Sequence, residues 1–209
     1  MIRMEKHRTL YERTVQDRSS LRYVLGLIIR WKQNFKYVYA RYLARNRGAI
    51  IGEGVIMPVS LAKRANKNLM IGSHTSIQSD KIDLRSPVHI GNHVIIGNGT
   101  EIITTSHNID SPDWEHKYYG ITIDDYVWIP TKVLVLPSCR KIGYGAVISS
   151  GSVVVRNVEP LSVVSGNPAV EFKKRQCVHS NLVVESLLGG DYKIYKETRK
   201  MKGFYSVDA

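Results

Sequence analysis

Ile90-Gly91-Asn92-His93-Val94-Ile95, followed without a break by Ile96-Gly97-Asn98-Gly99-Thr100-Glu101, sets the period of this chain. Both units follow one six-residue template: a branched aliphatic, then Gly or Asp, two free positions, a small or β-branched residue, and one more free position. Working outward, the template is met at Ile51-Gly52-Glu53-Gly54-Val55-Ile56 and at Ile71-Gly72-Ser73-His74-Thr75-Ser76. It returns at Ile123-Asp124-Asp125-Tyr126-Val127-Trp128, Ile142-Gly143-Tyr144-Gly145-Ala146-Val147 and Ile148-Ser149-Ser150-Gly151-Ser152-Val153. A repeat this short signals a β-solenoid. Each unit makes one flat face of a triangular coil, with the first aliphatic pointing to the axis and the Gly or Asp beside it tolerating the turn between faces. Stacked coils then bury a ladder of Ile and Val, and strands pair with the coil above and below at roughly 4.8 Å. An ordinary sandwich would instead alternate with period two and turn about every 8–12 residues.

Composition shows where the solenoid lies. The first 47 residues hold one glycine, Gly26, and no proline, whereas the repeat region is rich in glycine. Residues 1–48 carry 12 Lys or Arg against 3 Asp or Glu, residues 49–170 carry 10 against 10, and residues 171–209 carry 8 against 5. The formal excess of +12 therefore sits mostly outside the solenoid. The expected organisation is a basic helical segment at 1–48, a solenoid at 49–170 with a loop inserted near 104–120, and a C-terminal tail at 171–209. A basic excess raises nucleic acid as a partner, but no helix-turn-helix, RNA-recognition or zinc-finger pattern accompanies it, so no nucleic acid is expected. Cys139 and Cys177 make neither a disulfide framework nor a metal spacing. The charged opening from Met1 to Ser20 does not read as a signal peptide, and the apolar stretch Tyr23–Ile29 is too short to span a bilayer. A cytoplasmic location fits these features, with peripheral contact at the membrane's inner face left open.

Within the basic segment, Leu21, Val24, Leu25, Ile28, Trp31, Phe35, Val38, Tyr39 and Tyr42 recur at helical spacing among Arg22, Arg30, Lys32, Lys36 and Arg41. This predicts an amphipathic helix or helix pair. Two uses suit it. It caps the open first coil, whose end would expose apolar core and strand edges, or it lies on an anionic membrane surface.

After Glu101 the repeat breaks. The run Ile102-Ile103-Thr104-Thr105-Ser106-His107 leads into Asn108-Ile109-Asp110-Ser111-Pro112-Asp113-Trp114-Glu115-His116-Lys117-Tyr118-Tyr119-Gly120, and the coil resumes at Ile121. The solenoid core does not need this excursion, and loops inserted on rigid scaffolds are where sites are built. A positioned imidazole, ordinarily titrating near pH 6.5, is suited to take a proton from a weak nucleophile at neutral pH.

Three passages make the chain similar to a known family: Ser106-His107-Asn108 with Ser111-Pro112-Asp113, then Ile123-Asp124-Asp125-Tyr126-Val127-Trp128-Ile129, then Val163-Val164-Ser165-Gly166-Asn167-Pro168-Ala169. From about Ile51 to Arg175 it resembles the hexapeptide-repeat acyltransferases, most of all the colanic acid and the maltose and galactoside O-acetyltransferases. The resemblance implies a left-handed parallel β-helix, an exception to right-handed β crossovers that short corners permit. It implies a homotrimer with acetyl-CoA in the groove between neighbouring solenoids, transfer of acetyl to a sugar hydroxyl of a glycan, and no metal. His107 takes the position of the family's catalytic histidine. Asp110, Asp113 and Glu115 could orient it or bind the acceptor, as could a backbone carbonyl, and His116 either lines the acceptor pocket or is merely exposed. For the donor, the resemblance points to Trp128, Thr131, Ser149 and Ser150 along the pantetheine arm, Asn167 and Pro168 at the end of the last coil, and Lys173, Lys174 and Arg175 at the nucleotide phosphates. His74, His89, His93 and His179 are read as packing or surface residues.

The chain also departs from the family pattern. Pro130-Thr131 stands where glycine commonly follows the Trp-Ile pair, Ser149 replaces another glycine, and Lys141 adds one residue before Ile142. N-acetylation of an amino sugar is the nearest alternative chemistry. A zinc hydratase on the same scaffold needs three imidazoles, two of them five apart, whereas His89 and His93 are four apart and His107 and His116 nine apart.

Overall fold

The computed structural model describes residues 10–179 and 191–204; residues 1–9 of the basic segment and 180–190 and 205–209 of the C-terminal tail lie outside the described residues. Two helices open the chain, α1 (Leu10–Gln16) and α2 (Ser20–Asn46). The Ser19 side chain caps α2 by accepting from the Arg22 N–H at 3.5 Å.

From there short strands pass through three parallel sheets in rotation. The first sheet stacks β1 (Ile50–Ile51), β2 (Leu69–Ile71), β4 (Val88–Ile90), β9 (Ile121–Ile123) and β12 (Lys141–Ile142) in that order. The second stacks β3 (Ser76–Ile77), β5 (Ile95–Ile96), β10 (Trp128–Ile129), β13 (Val147–Ile148) and β15 (Ser162–Gly166), and the third β6 (Glu101–Ile102), β11 (Leu134–Val135) and β14 (Val153–Val154). Register follows the template: Ile71 pairs with Ile90, Ile90 with Ile123, and Ile123 with Ile142. A short helix, α3 (Val59–Arg64), interrupts the first turn of the coil. At the far end β16 (Ala169–Lys174) folds back antiparallel on β15.

The first template position is the core: Ile51, Ile71, Ile90, Ile96, Ile123, Ile142 and Ile148 are at most 6% exposed. Truncating one, as in Ile123→Ala, would cost about 2–5 kcal/mol. The fifth position is equally buried, at Val55, Thr75, Val94, Thr100, Val127 and Ala146. Where it is Thr, the hydroxyl donates along the corner, from Thr75 to the Gly91 carbonyl at 2.7 Å and from Thr100 to the Pro130 carbonyl at 2.6 Å.

The second-position glycine has a different cause from the one expected. Gly97 does not lie in the left-handed region; a Cβ there would stand 2.6 Å from the Pro130 carbonyl carbon and 2.7 Å from the Thr131 nitrogen of the next coil. Stacking distance, not turn geometry, selects it. The left-handed residue is the fourth in the unit, which the repeat leaves free: Gly99 at φ +71°, and also His74, His93, Tyr126, Lys132 and Leu161 at 55–59°. Because that position recurs on every coil, His74, His93 and Tyr126 stack as rings, with centroids 5.3 and 4.9 Å apart. The extra Lys141 is absorbed by Asn157, whose Oδ1 accepts from the Arg140 and Lys141 N–H groups at 2.7 and 2.9 Å.

The helices differ from expectation in orientation. Small residues of α2, Ala40 and Ala44, with Leu43 beside them, close the first coil. Arg41 donates to the Val55 carbonyl at 2.8 Å and Arg45 to the Ile51 carbonyl at 2.6 Å. The large apolar residues of α2 instead face outward. Its inner face is held by α4 (Tyr192–Phe204): Tyr195 is fully buried, lies over Gly26, stacks on Tyr23 with centroids 5.1 Å apart, and is covered by Arg30. Arg30 pairs with buried Asp191 at 2.9 Å, and Tyr11 donates to the same carboxylate. Burial, then Asp191, pushes the Tyr11 phenol well above its usual range. The tail thus contains β16 and a helix docked on the N-terminal pair.

Candidate active site in the inserted hairpin

The excursion after β6 is a β-hairpin. β7 (Thr105–His107) pairs antiparallel with β8 (His116–Tyr118), placing His107 opposite His116 and Thr105 opposite Tyr118. Side chains of directly paired residues share a face, so His107, His116, Thr105 and Tyr118 lie on one side. The rings of His107 and His116 are 4.3 Å apart between centroids, and His116 is 6.1 Å from Tyr118.

His107 is half-buried and fixed at one nitrogen. Its Nδ1 lies 2.7 Å from the Trp114 carbonyl oxygen, and the Trp114 ring stacks on it at 5.5 Å. A carbonyl only accepts, so Nδ1 carries the hydrogen, and Nε2 is the basic nitrogen of the neutral ring. Trp114 presents this carbonyl from a left-handed turn, φ 54°, closed by Asn108 N–H to the Glu115 carbonyl at 2.7 Å and Trp114 N–H to the Ser111 carbonyl at 3.1 Å. Of the orienting groups considered for His107, the backbone carbonyl is the one in place. Asp110, Asp113 and Glu115 are exposed on the turn, and His116 is exposed beside the His107 ring.

The hairpin's root is pinned by Asp83, which the sequence did not flag. Its carboxylate accepts from Thr105 Oγ1 at 2.8 Å and Thr104 N–H at 3.3 Å, and pairs with Arg85 at 2.9 Å. Burial disfavours the charged Asp83, but the hydrogen bonds from Arg85, Thr105 and the backbone outweigh it and hold the carboxyl well below the usual range. Ile82 bridges Ile102, so Asp83 sits one coil beneath the point where the repeat breaks, a stacking that the sequence did not mark. Beside Tyr118 opens a cleft of about 510 Å³ whose walls include Arg64, Asn66, Asn68, Asp83 and Arg85.

The residues assigned to the donor divide. Trp128, Thr131 and Arg175 come together with Gln78, Pro130 and His179 around a groove of about 340 Å³ on the second sheet. Ser150 lies at the corner occupied by Thr131 one coil earlier, where Gly151 N–H reaches the Thr131 carbonyl at 3.3 Å, and Ser149 donates its N–H to the Val164 carbonyl at 2.8 Å. Asn167 and Pro168 form the exposed turn between β15 and β16, which Ser152 Oγ meets through the Gly166 N–H at 3.2 Å. The cation triplet is split. Lys173 and Lys174 pair with Val163 and Ser162, at the end of β15 opposite that turn. Lys174 contacts Glu171 at 3.1 Å. Arg175 donates to the Gly145 carbonyl at 3.1 Å and contacts His179 at 3.3 Å. His179 Nε2 in turn donates to the His93 carbonyl at 2.7 Å. Burial lowers the pKa of His93 and of His179.

No protein-family profile matches the chain. It is similar to an acetyltransferase named for colanic acid biosynthesis in Escherichia coli (strain K12), with 28% identity over 153 residues, 73% of this chain and 84% of that protein. It is 31% identical over 131 residues to the galactoside O-acetyltransferase of Lactococcus lactis, covering 59% of this chain and 62% of that one. Among solved structures it is similar to a hexapeptide-repeat acetyltransferase of Vibrio cholerae in complex with acetyl coenzyme A, with a TM-score of 0.56, 25% identity, and coverage of 79% and 84% of the two chains. The repeat and the three rotating parallel sheets agree with these likenesses: in sequence and in fold the chain is similar to the hexapeptide-repeat acetyltransferases.

Proposed function

We propose that the chain is an acetyl-CoA-dependent O-acetyltransferase acting on a sugar hydroxyl of a glycan precursor in the cytoplasm. In this reading residues 49–170 are a left-handed β-helix that works as a homotrimer, with a donor groove shared between neighbours. The observation that carries it is the anchored imidazole. With Nδ1 donating to the Trp114 carbonyl at 2.7 Å, Nε2 of His107 is the nitrogen left to act as general base.

His107 takes the proton of the acceptor hydroxyl as its oxygen attacks the thioester carbonyl carbon. The tetrahedral intermediate then expels the thiolate, to which the imidazolium returns the proton, so the products are an acetyl ester and free coenzyme A. Trp114 stabilises the imidazolium through its carbonyl, which accepts the Nδ1 hydrogen throughout. His116 and Tyr118 flank the reacting hydroxyl, and the polar cleft beside Tyr118 suits the remaining sugar hydroxyls. Trp128 and Thr131 flank the pantetheine arm, Ser149 and Ser150 extend that wall, and Arg175 or Lys173 meets phosphate. Lys174 is the weaker phosphate ligand because Glu171 already neutralises it.

The test is acetyl-CoA with a panel of sugars, nucleotide sugars and lipid-linked glycans, read by thiol release and by the mass of the acetylated product. An ester on a hydroxyl supports the reading; an amide on an amino sugar would replace O- by N-transfer. His107→Ala retaining most of the activity would remove the proposed base.

A further inference from the structure

The outward face of α2 is not explained by acetyl transfer. Leu21, Val24, Leu25, Ile28, Ile29, Trp31, Phe35, Val38, Tyr39 and Tyr42 are all exposed, with Leu21 at 72% and Phe35 at 68%. At 1.5 Å per residue the stripe from Leu21 to Tyr42 runs for about 30 Å. It lies away from Gly26, Ala40 and Ala44, the buried residues by which α2 is seated on the protein. Single exposed apolar residues are ordinary, but a continuous stripe of this length marks a surface that is covered in use.

Charge and width identify what covers it. α2 contains Arg22, Arg30, Lys32, Lys36, Arg41 and Arg45 and no acidic residue. Arg30 is paired with Asp191, while Arg41 and Arg45 are turned to backbone carbonyls of the first coil. Arg22, Lys32 and Lys36 are exposed and lie among and beside the apolar residues along one edge of the stripe. Trp31, Tyr39 and Tyr42 add rings of the kind that sit at the boundary between headgroups and acyl chains. A two-helix contact would need only the narrow seam Leu21, Val24, Ile28, Trp31, Phe35, Val38 and Tyr42. Leu25, Ile29 and Tyr39 widen the face beyond that seam, as a flat apolar boundary requires. Pairing α2 with its own copy would also bring cations together without an acid on either helix to offset them.

We propose that α2 is an in-plane membrane anchor: its Leu21–Tyr42 face enters the headgroup and acyl boundary of an anionic lipid surface, and Arg22, Lys32 and Lys36 lie at the lipid phosphates. No helix among the described residues is long and apolar enough to cross a membrane, so the association is peripheral. It does not depend on the acetyltransferase reading.

The experiment uses the full chain, sedimented with vesicles of phosphatidylcholine alone or with roughly 30 mol% phosphatidylglycerol. Retention on the anionic vesicles at low salt, largely lost at about 0.5 M salt, is expected, because screening removes the electrostatic part. Trp31→Glu with Phe35→Glu should abolish binding while circular dichroism and the mass by light scattering stay unchanged, since Glu is a good helix former. Lys32→Gln and Lys36→Gln should each weaken anionic binding about fivefold, the equivalent of ~1 kcal/mol per cation near such a surface. Wild-type protein that ignores anionic vesicles at low salt overturns the proposal, as does undiminished binding by the Trp31→Glu and Phe35→Glu variant. If that variant instead lowers the mass of the vesicle-free protein, the face is a contact between copies and the lipid assignment is wrong.

Discussion

Gly97→Ala tests whether coil stacking, not turn conformation, sets the second template position. The added Cβ would meet the Pro130 carbonyl carbon at 2.6 Å, the Thr131 nitrogen at 2.7 Å and the Pro130 oxygen at 3.0 Å. All three are backbone atoms, so no side chain can swing away and the two coils must separate. Overpacking of this kind typically costs 1–3 kcal/mol, and with only backbone to yield the cost should be about 3 kcal/mol. For a chain of this size that is a fall in Tm of about 6–12 °C. Gly99→Ala, two residues on, is the control. Gly99 sits at φ +71° with only Lys132 Cγ near its built Cβ, at 3.6 Å, so its penalty is conformational, about 1–2 kcal/mol. Thermal and urea unfolding of both variants against the parent gives the comparison. Gly97→Ala as stable as the parent, or less damaged than Gly99→Ala, would show that the coils yield easily and that stacking distance does not select the glycine. A second readout is local: Gly97 lines the groove with Trp128 and Thr131, so coenzyme A affinity should fall in Gly97→Ala more than in Gly99→Ala.

His107→Ala should lower kcat by roughly 10²–10⁴, the usual loss for a positioned general base, with coenzyme A affinity kept; His116→Ala should act mainly on the acceptor KM. Light scattering should give three times the 23.7 kDa of one chain, and a monomer at micromolar concentration would contradict a shared groove. Burial lowers the pKa of His93 and His179, so as pH falls below about 6.5 the unfolded chain binds protons that the folded one refuses. Stability should therefore be fully present above that pH and decline below it, and His179→Gln should flatten the decline measured by thermal unfolding. Native protein should give one thiol to a disulfide reagent and denatured protein two, because Cys177 is exposed while Cys139 is buried, its pKa raised to about 11 by burial.

The six-residue period was enough to place the buried aliphatics, because a repeat in sequence reports geometry that recurs on every coil. The same period hid the reasons for two of its positions. Gly97 answers to atoms of Pro130 one coil away, and the left-handed fourth position accepts Gly99, His93 and Tyr126 alike, so residue type gives no uniform mark. In α2 the spacing identified an amphipathic helix but not the direction of its apolar face; Tyr195, far along the chain, seats the opposite side against Gly26. The break in the repeat marked where His107 leaves the coil. A backbone carbonyl was one of the candidate partners for its ring, but which residue supplies it, Trp114, was not readable, because a carbonyl has no signature in the side-chain sequence. The Lys173, Lys174 and Arg175 triplet reads as one patch on paper. Strand alternation and the Glu171 partner divide it in space.

The hairpin that carries His107 leaves and rejoins the coil at nearly one point, since Tyr119 N–H returns to the Thr104 carbonyl at 3.0 Å and Ile121 N–H bonds Pro87 on the coil below at 2.9 Å. Its two ends are tied by the first residue of β9, so the rise and register of that strand owe nothing to what lies between them. The segment is in effect a cassette. Its tip can be lengthened, shortened or exchanged while the stacked aliphatics keep their places, so the side chains around His107 can change without disturbing the coil.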